Sequence, residues 1–352
     1  MKKYVFYVFT FAIGLLFVAM SYKSESGSNE KTAITNLDSL VPNIESVKIS
    51  QSGKEDAPGK ILRKLYTKSS VNALRIPPIE SRLLSALNYQ SELLKQSLGE
   101  HKFGNLTINS SDLLQVVETL KKVKKCDQLS DWIDTYQICG SDMRGNVRFT
   151  GYYSPTVGAS YKKTEEFNTP AYLAAKQEDS YSIVYVRNRE EIHRMRLEGY
   201  AYLVFDSDHR DLVSFDGSSR TIVDDEGNKS YAPVFTLKTV TKGNRPVGAS
   251  NQVPLTSEIT VAVDAEYIPM GSVLMAEIPV VDERGNLIRK DLRFVLAQDK
   301  GSAIRGSGHV DLYMGEGEGA KNRIRNMNKY GKVWLLLPKS NDVNSALAQN
   351  IK

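Results

Sequence analysis

Three aspartates stand at the ends of apolar runs. Asp264 follows Ile259-Thr260-Val261-Ala262-Val263, Asp299 follows Phe294-Val295-Leu296-Ala297-Gln298, and Asp311 precedes Leu312-Tyr313-Met314. A single aspartate at a strand end is usually a turn former, but three so placed look less accidental. Cleaving a glycosidic bond requires a carboxylic acid to protonate the leaving oxygen, and apolar surroundings keep that acid protonated near neutral pH by disfavouring its charged form. Asp311, flanked by Val310, Leu312 and Tyr313, meets the requirement. Asp299 and Asp264 are suited to accepting hydrogen bonds from the glycine-rich loop Gly301–Gly308 and holding its shape.

Other chemistries fit poorly. The four histidines, His101, His193, His209 and His309, form no cluster with metal-ligand spacing. No G-x-S-x-G elbow exists, and Gly306-Ser307-Gly308 lacks the outer glycines. The run Gly315-Glu316-Gly317-Glu318-Gly319 carries two glutamates and no lysine, so it would repel a phosphate. A net charge of +5 suits an anionic polymer or a membrane surface and is too modest for nucleic acid. The expectation is therefore an enzyme with no metal and no cofactor, acting on something other than nucleic acid.

The elements that must position these carboxylates come next. Leu83, Leu84, Leu87, Leu93, Leu94 and Leu98 recur at helical spacing between Ile79 and Leu98, and a second helix is predicted from Asp112 to about Val123 after a Ser110-Ser111 cap, with a third short one after Ser130. From Asn146 onward short β-rich runs take over: Val147–Thr150, Ser182–Val186, Tyr202–Phe205, Val234–Thr239, Ile259–Val263, Val273–Ile278, Leu292–Ala297 and Val333–Leu337, with one helix at Glu190–Glu198. The fold class is mainly β with N-terminal helices, and strands at such intervals favour a barrel or sandwich.

At the other end of the chain, Lys2 and Lys3 precede an apolar run from Tyr4 to Met20, the pattern of an export signal. It is either cleaved after Ser21 or, as we favour, kept as an inner-membrane anchor through residues 4–20. Residues 24 to about 60 read as a flexible tether. No cysteine lies where a lipid would attach, so the protein is expected in the periplasm or cell envelope without lipidation. Cys126 and Cys139 are equally compatible with a disulfide and with two free thiols.

Several segments together resemble the membrane-bound lytic murein transglycosylase A (MltA) family, with its C-terminal three-aspartate (3D) domain. They are Phe149-Thr150-Gly151-Tyr152-Tyr153-Ser154-Pro155, Val261-Ala262-Val263-Asp264 with Ile268-Pro269-Met270-Gly271, Ala297 to Gly306, Asp311-Leu312-Tyr313-Met314-Gly315, and Asn328 to Trp334, in matching order and spacing. The resemblance runs from about residue 80 to 338. It implies a double-psi β-barrel interrupted by an inserted smaller β domain, with the glycan in the groove between them. It makes Asp311 the catalytic acid/base, with Asp299 and Asp264 as supporting carboxylates, and peptidoglycan strands the partner. Thr150, Gly151, Tyr152, Tyr153, Gln298, Lys300, Ser302 and Tyr313 are then candidates for lining the groove.

The implied organisation is a signal or anchor at 1–22, a tether at 23–75, helices and the first part of the barrel at 76–155, a shortened insert at 156–245, the 3D barrel at 246–340 and a tail at 341–352. The sequence departs from the family in two ways: the insert around Val213–Arg220 reads short, and a lipid-attachment cysteine is missing. Two other readings stay open at this point, a glycan hydrolase with Asp311 as acid and Asp299 as base, and a non-catalytic murein-binding scaffold.

Overall fold

A computed structural model describes residues 63–69, 77–96, 99–123, 129–174, 181–205, 209–223, 226–238, 245–248, 253–301 and 303–339. The apolar run 4–20, the tether, Cys126 and Ser302 lie outside the described residues.

Strand β1 (Tyr66–Ser69) is followed by helix α1 (Ser81–Gln96), the hairpin β2 (Glu100–Phe103) and β3 (Leu106–Asn109), and helix α2 (Ser110–Lys122). The leucine spacing explains both helices. Leu83, Leu87 and Leu94 fall on one face of α1, and Leu113, Val116, Val117 and Leu120 on one face of α2; all are buried. Ser91 donates to Glu118 Oε1 at 2.6 Å and ties the two helices together. The start of α2 corrects the expected cap: Asn109, not Ser110-Ser111, is the N-cap, and its backbone N–H donates to Asp112 Oδ2 at 3.0 Å. The third helix, α3 (Leu129–Trp132), is a single turn leading into β4 (Ile133–Ile138).

Downstream the chain is mainly β. Strand β5 (Val147–Ser154) is followed by β6 (Thr156–Gly158), β7 (Thr169–Ala174), β8 (Tyr181–Val186), α4 (Arg189–Glu198), β9 (Tyr200–Val204), β10 (Arg210–Val223) and β11 (Lys229–Leu237). Then come β12 (Thr260–Ala262), β13 (Val273–Val281), β14 (Leu287–Asp299), β15 (His309–Glu316), α5 (Gly317–Ile324), β16 (Lys329–Gly331) and β17 (Val333–Pro338).

The strands form two main sheets. The larger has nine strands in the order β1-β4-β17-β13-β14-β12-β15-β5-β16. Every residue from Val333 to Leu337 is buried, the mark of a strand covered on both faces, and α2 packs against it. The smaller sheet, drawn from residues 156–237, has six strands in the order β6-β9-β10-β11-β7-β8. It has its own core, in which Met195 of α4 is fully buried with Leu203, Val213 and Phe235. The β10–β11 hairpin carries an irregularity between Phe215 and Ser219, and beyond it the strands run out into solvent. Strands β1, β4, β6, β7, β16 and the β2–β3 hairpin escaped the sequence reading because each is short and lacks a clean alternation of apolar and polar residues, and the 14-residue β10 escaped it because Asp216-Gly217-Ser218-Ser219 interrupts the strand with turn formers.

Candidate active site

Strand register brings the chemistry together. Asp311 of β15 pairs with Thr150 of parallel β5 on one side and with Ala262 of antiparallel β12 on the other, and Ala262 pairs in turn with Asp299 of β14. Paired residues share a face of the sheet, so Thr150, Asp311, Ala262 and Asp299 form one row, with only a methyl group between the two carboxylates. The period-2 alternation extends that face along the strands: His309 pairs with Arg148, and Tyr313 with Tyr152.

Thr150 donates its hydroxyl to Asp311 Oδ1 at 2.8 Å, and its Oγ1 lies 2.9 Å from His309 Nε2. A hydroxyl has one proton to give. With that proton on Asp311, His309 must donate from Nε2, which assigns the tautomer and makes a chain from His309 through Thr150 to Asp311. Burial, helped by the positive charge of Arg148, pushes the His309 pKa down to about 4, so the ring is neutral at neutral pH. Burial also pushes the Asp311 carboxyl up to about 6; the Thr150 hydrogen bond and Arg148 pull it down, and Asp299 adds a small upward push.

The supporting aspartates use both oxygens structurally. Asp299 is buried, accepts the Tyr152 hydroxyl on Oδ2 at 2.8 Å and accepts Lys300 N–H on Oδ1 at 2.9 Å. Asp264 accepts Gly306 N–H at 2.7 Å and Glu266 N–H at 3.1 Å, pinning a loop 42 residues away at a glycine with φ of 74°. The loop-holding role therefore belongs to Asp264, while Asp299 braces Tyr152. Burial and the Asp299 charge raise the Tyr152 phenol well above its ordinary range, which keeps it a hydrogen-bond donor.

The remaining candidates separate. Tyr313 packs against Tyr152 with ring centroids 5.2 Å apart, and its hydroxyl lies 3.1 Å from Ser154 Oγ. Gly151 and Tyr153 alternate to the opposite face. A Cβ on Gly151 would sit 2.5 Å from Ile324 Cγ2, so the glycine is there to admit α5. Gln298 has no exposed surface; its amide accepts from Thr260 and donates to Gln90 of α1. Lys300 is exposed beside Asp299.

Three contributors were missed. His309 was weighed only as a metal ligand, although its place two residues before Asp311 on one strand was the available signal. Glu198, at the end of α4, accepts Tyr153 N–H at 3.3 Å, and burial together with the Asp311 charge raises it to about 7. The Gly315–Gly319 run, dismissed as a phosphate loop, begins α5 and joins the sheets: Glu316 pairs with Arg210 at 2.7 Å and Glu318 with Arg194 at 3.6 Å. Among the described residues no group of three or more His, Cys, Asp or Glu side chains is arranged to hold a metal ion.

Comparison with known proteins bears on the family and the fold. Residues 259–337, which carry all three aspartates, match the family model described as the 3D domain. Membrane-bound lytic murein transglycosylase A of Escherichia coli is 30% identical over 253 residues, covering 58% of this chain and 69% of that protein. A homolog from Buchnera aphidicola is 26% identical, covering 63% and 75% respectively. The crystal structure of the Escherichia coli protein with bound chitohexaose superposes with a TM-score of 0.61 at 23% identity, over 78% of this chain and 95% of that one. With a shared fold, the three-aspartate segment in place and that degree of identity over most of the relative's length, the chain belongs to the membrane-bound lytic murein transglycosylase A family.

Proposed function

We propose that this protein is a lytic murein transglycosylase that cleaves the β-1,4 bond between N-acetylmuramic acid and N-acetylglucosamine and leaves a 1,6-anhydromuramyl end. The observation that carries the reading is Asp311, a carboxyl raised to about 6, hydrogen-bonded by Thr150 and set on a face shared with two tyrosines. Asp311 delivers its proton to the glycosidic oxygen as the bond to C1 breaks, and the N-acetylglucosamine hydroxyl departs. The carboxylate so formed then takes the proton of the muramyl C6 hydroxyl as that oxygen bonds to C1. No water is consumed. An intramolecular nucleophile needs no second enzyme carboxylate to activate it, because its effective concentration replaces one. Asp299 fits the role of brace better than that of base, since both its oxygens already accept hydrogen bonds.

The chain trace from β5 through Pro155 into the six-stranded sheet, and its return to β12, favours an inserted domain, with the glycan in the groove between the two sheets. A double-psi barrel is our reading of the larger sheet. Its support is that β16, which pairs with β5, runs directly on into β17, which pairs with β13. Thr150 and Tyr152 line the groove with Asp311, the buried Tyr313 packs against Tyr152, and Lys300 stands at the groove's edge. Residues 4–20 would anchor the enzyme on the envelope side of the membrane. Digestion of purified sacculi tests the reaction. Release of anhydromuramyl products is expected; products that gain water would replace transglycosylation with hydrolysis, and binding without release would reduce the protein to a scaffold.

A further inference from the structure

His309 reaches the acid through Thr150. Strand register holds the three side chains on one face of the larger sheet: Asp311 pairs with Thr150 across β15 and β5, and His309 lies two residues before Asp311 on β15. Thr150 Oγ1 is 2.9 Å from His309 Nε2 and 2.8 Å from Asp311 Oδ1. Among the described residues no hydrogen bond joins His309 to Asp311 directly, and of the two Asp311 oxygens only Oδ1 takes one. Charge reaches the row from Arg148 on β5, Asp299 on β14 and Glu198 on α4.

These atoms admit two proton arrangements. In one, His309 donates from Nε2 to Thr150, Thr150 donates to Oδ1, and the carboxyl's own proton rides on Oδ2. In the other the chain runs backwards: Oδ1 carries the proton and gives it to Thr150, whose hydroxyl turns to a His309 protonated on Nδ1 instead. The ionised form of Asp311 allows only the first, since a carboxylate can only accept. The reaction proposed above passes through that ionised form and back, so the backward chain would oblige the imidazole to move its proton between ring nitrogens in every turnover. Burial and Arg148 also keep the ring neutral, so it does not take up the Asp311 proton.

We infer that His309 is a positioning residue for that transglycosylation: its Nε2–H fixes the Thr150 hydroxyl on Asp311 Oδ1, so that the acid's proton is carried, given and recovered on Oδ2. The proton leaves Oδ2 for the glycosidic oxygen as the bond to C1 breaks. That of the muramyl C6 hydroxyl returns to Oδ2 as its oxygen bonds to C1, while Thr150 and His309 keep theirs throughout. The purpose of the chain rests on the transglycosylase reading, but its direction is measurable without substrate.

The ring itself reports that direction. In the full chain with 15N-labelled histidine, the resonances absent from His309→Gln belong to His309, and their couplings to the ring carbon-bound protons show which nitrogen is protonated. A proton on Nε2 is expected on both sides of the Asp311 titration, at about pH 5 and about pH 8. A ring with no proton on Nε2 at either pH overturns the inference, whatever the enzyme does to sacculi. On saturating sacculi, Thr150→Val and His309→Leu are each expected to slow anhydromuramyl release about tenfold with the half-saturating amount unchanged, the loss of one hydrogen bond to an ionised group. His309→Gln, whose amide can place an N–H near the position of Nε2, is expected to recover part of that rate. Because His309 acts through Thr150, adding His309→Leu to Thr150→Val is expected to cost nothing more. Losses that multiply in the double variant, or a wild-type rate in His309→Leu, would make His309 a packing residue and overturn the inference. If the wild type releases no anhydromuramyl product, the transglycosylase reading fails, and the ring measurement still decides the chain.

Discussion

The two sheets differ in what they bury. The nine-stranded sheet and its helices share one large core holding Phe149, Trp334 and most of the chain's buried leucines, and the row Thr150–Asp311–Ala262–Asp299 is built on four of its adjacent strands. The six-stranded sheet has a small core of mostly slight aliphatic side chains, and part of its longest hairpin lies in solvent. A carboxyl that must keep a perturbed pKa needs rigid, dry surroundings, and at Asp311 the larger body supplies them. The smaller body contributes at its border, through Glu198 and two arginine–glutamate pairs.

The largest expected effect is at the row itself. Asp311→Asn should lower product release from sacculi by about 10²–10⁴-fold, measured as anhydromuramyl ends, with unchanged circular dichroism. The same substitution should stabilise the protein at neutral pH. A carboxyl whose folded pKa is raised from 3.8 to about 6 binds protons more tightly folded than unfolded, so stability is lost as pH rises from about 4 to 6. Removing the group removes that loss. Asp311→Asn should therefore gain on the order of 1–3 kcal/mol at pH 7.5 and little at pH 4, read by denaturant melts at both pH values.

The next effect sets core against core. Phe149→Ala, in the larger core, should cost about 3–5 kcal/mol of global stability. Met195→Ala should cost about 2–5 kcal/mol locally, because its contacts are confined to the smaller core. Native-state hydrogen exchange would distinguish them: the first should speed exchange throughout, and the second should expose β8–β11 while the nine-stranded sheet stays protected. Uniform acceleration by Met195→Ala would show the two bodies to be one cooperative unit.

How much of this was legible follows the same division. The eight strand segments expected from residue 147 onward all appear as β-structure, because long apolar runs such as Phe294–Gln298 are buried on both faces and announce themselves. The helices were legible from their leucine spacing, although the cap on α2 fell one position early, at Asn109. The aspartates stood out as polar residues ending apolar runs, but their division of labour did not: that Asp264 holds Gly306 while Asp299 takes the Tyr152 hydroxyl depends on pairings between residues 42 and 147 positions apart. Gln298 looked like a groove residue beside Asp299, yet strand alternation turns it inward to Thr260 and Gln90. Glu198 was hidden for the same reason. On its own helix it is an ordinary polar terminus, and only the contact between sheets gives it the Tyr153 N–H as a partner.

Gly151→Ala should have an intermediate effect, because the added methyl would meet Ile324 and Met327 and must push α5 away from β5. A cost of about 1–3 kcal/mol is expected from such overpacking, read as a lower denaturant midpoint. Since Glu316, the N-cap of α5, and Glu318, in its first turn, both reach the smaller body, the substitution should also weaken that junction.

The smallest effect should come from the junction's own ion pairs. Arg210 and Glu316 are both substantially exposed, at 37% and 41% of their side chains, so the pair should contribute no more than about 1 kcal/mol and fade with salt. Arg210 also lies over the Tyr202 ring, 4.3 Å from its centroid, and that contact resists salt better because one face of it is buried protein. A double-mutant cycle of Arg210→Ala with Glu316→Ala, run at low and high salt, would isolate the charge pair. A coupling that vanishes at high salt while Arg210→Ala alone keeps part of its cost would assign the remainder to Tyr202. A coupling well above 1 kcal/mol would mean that the two sheets are locked by charge, and that the smaller body is less free of the larger than its separate core implies.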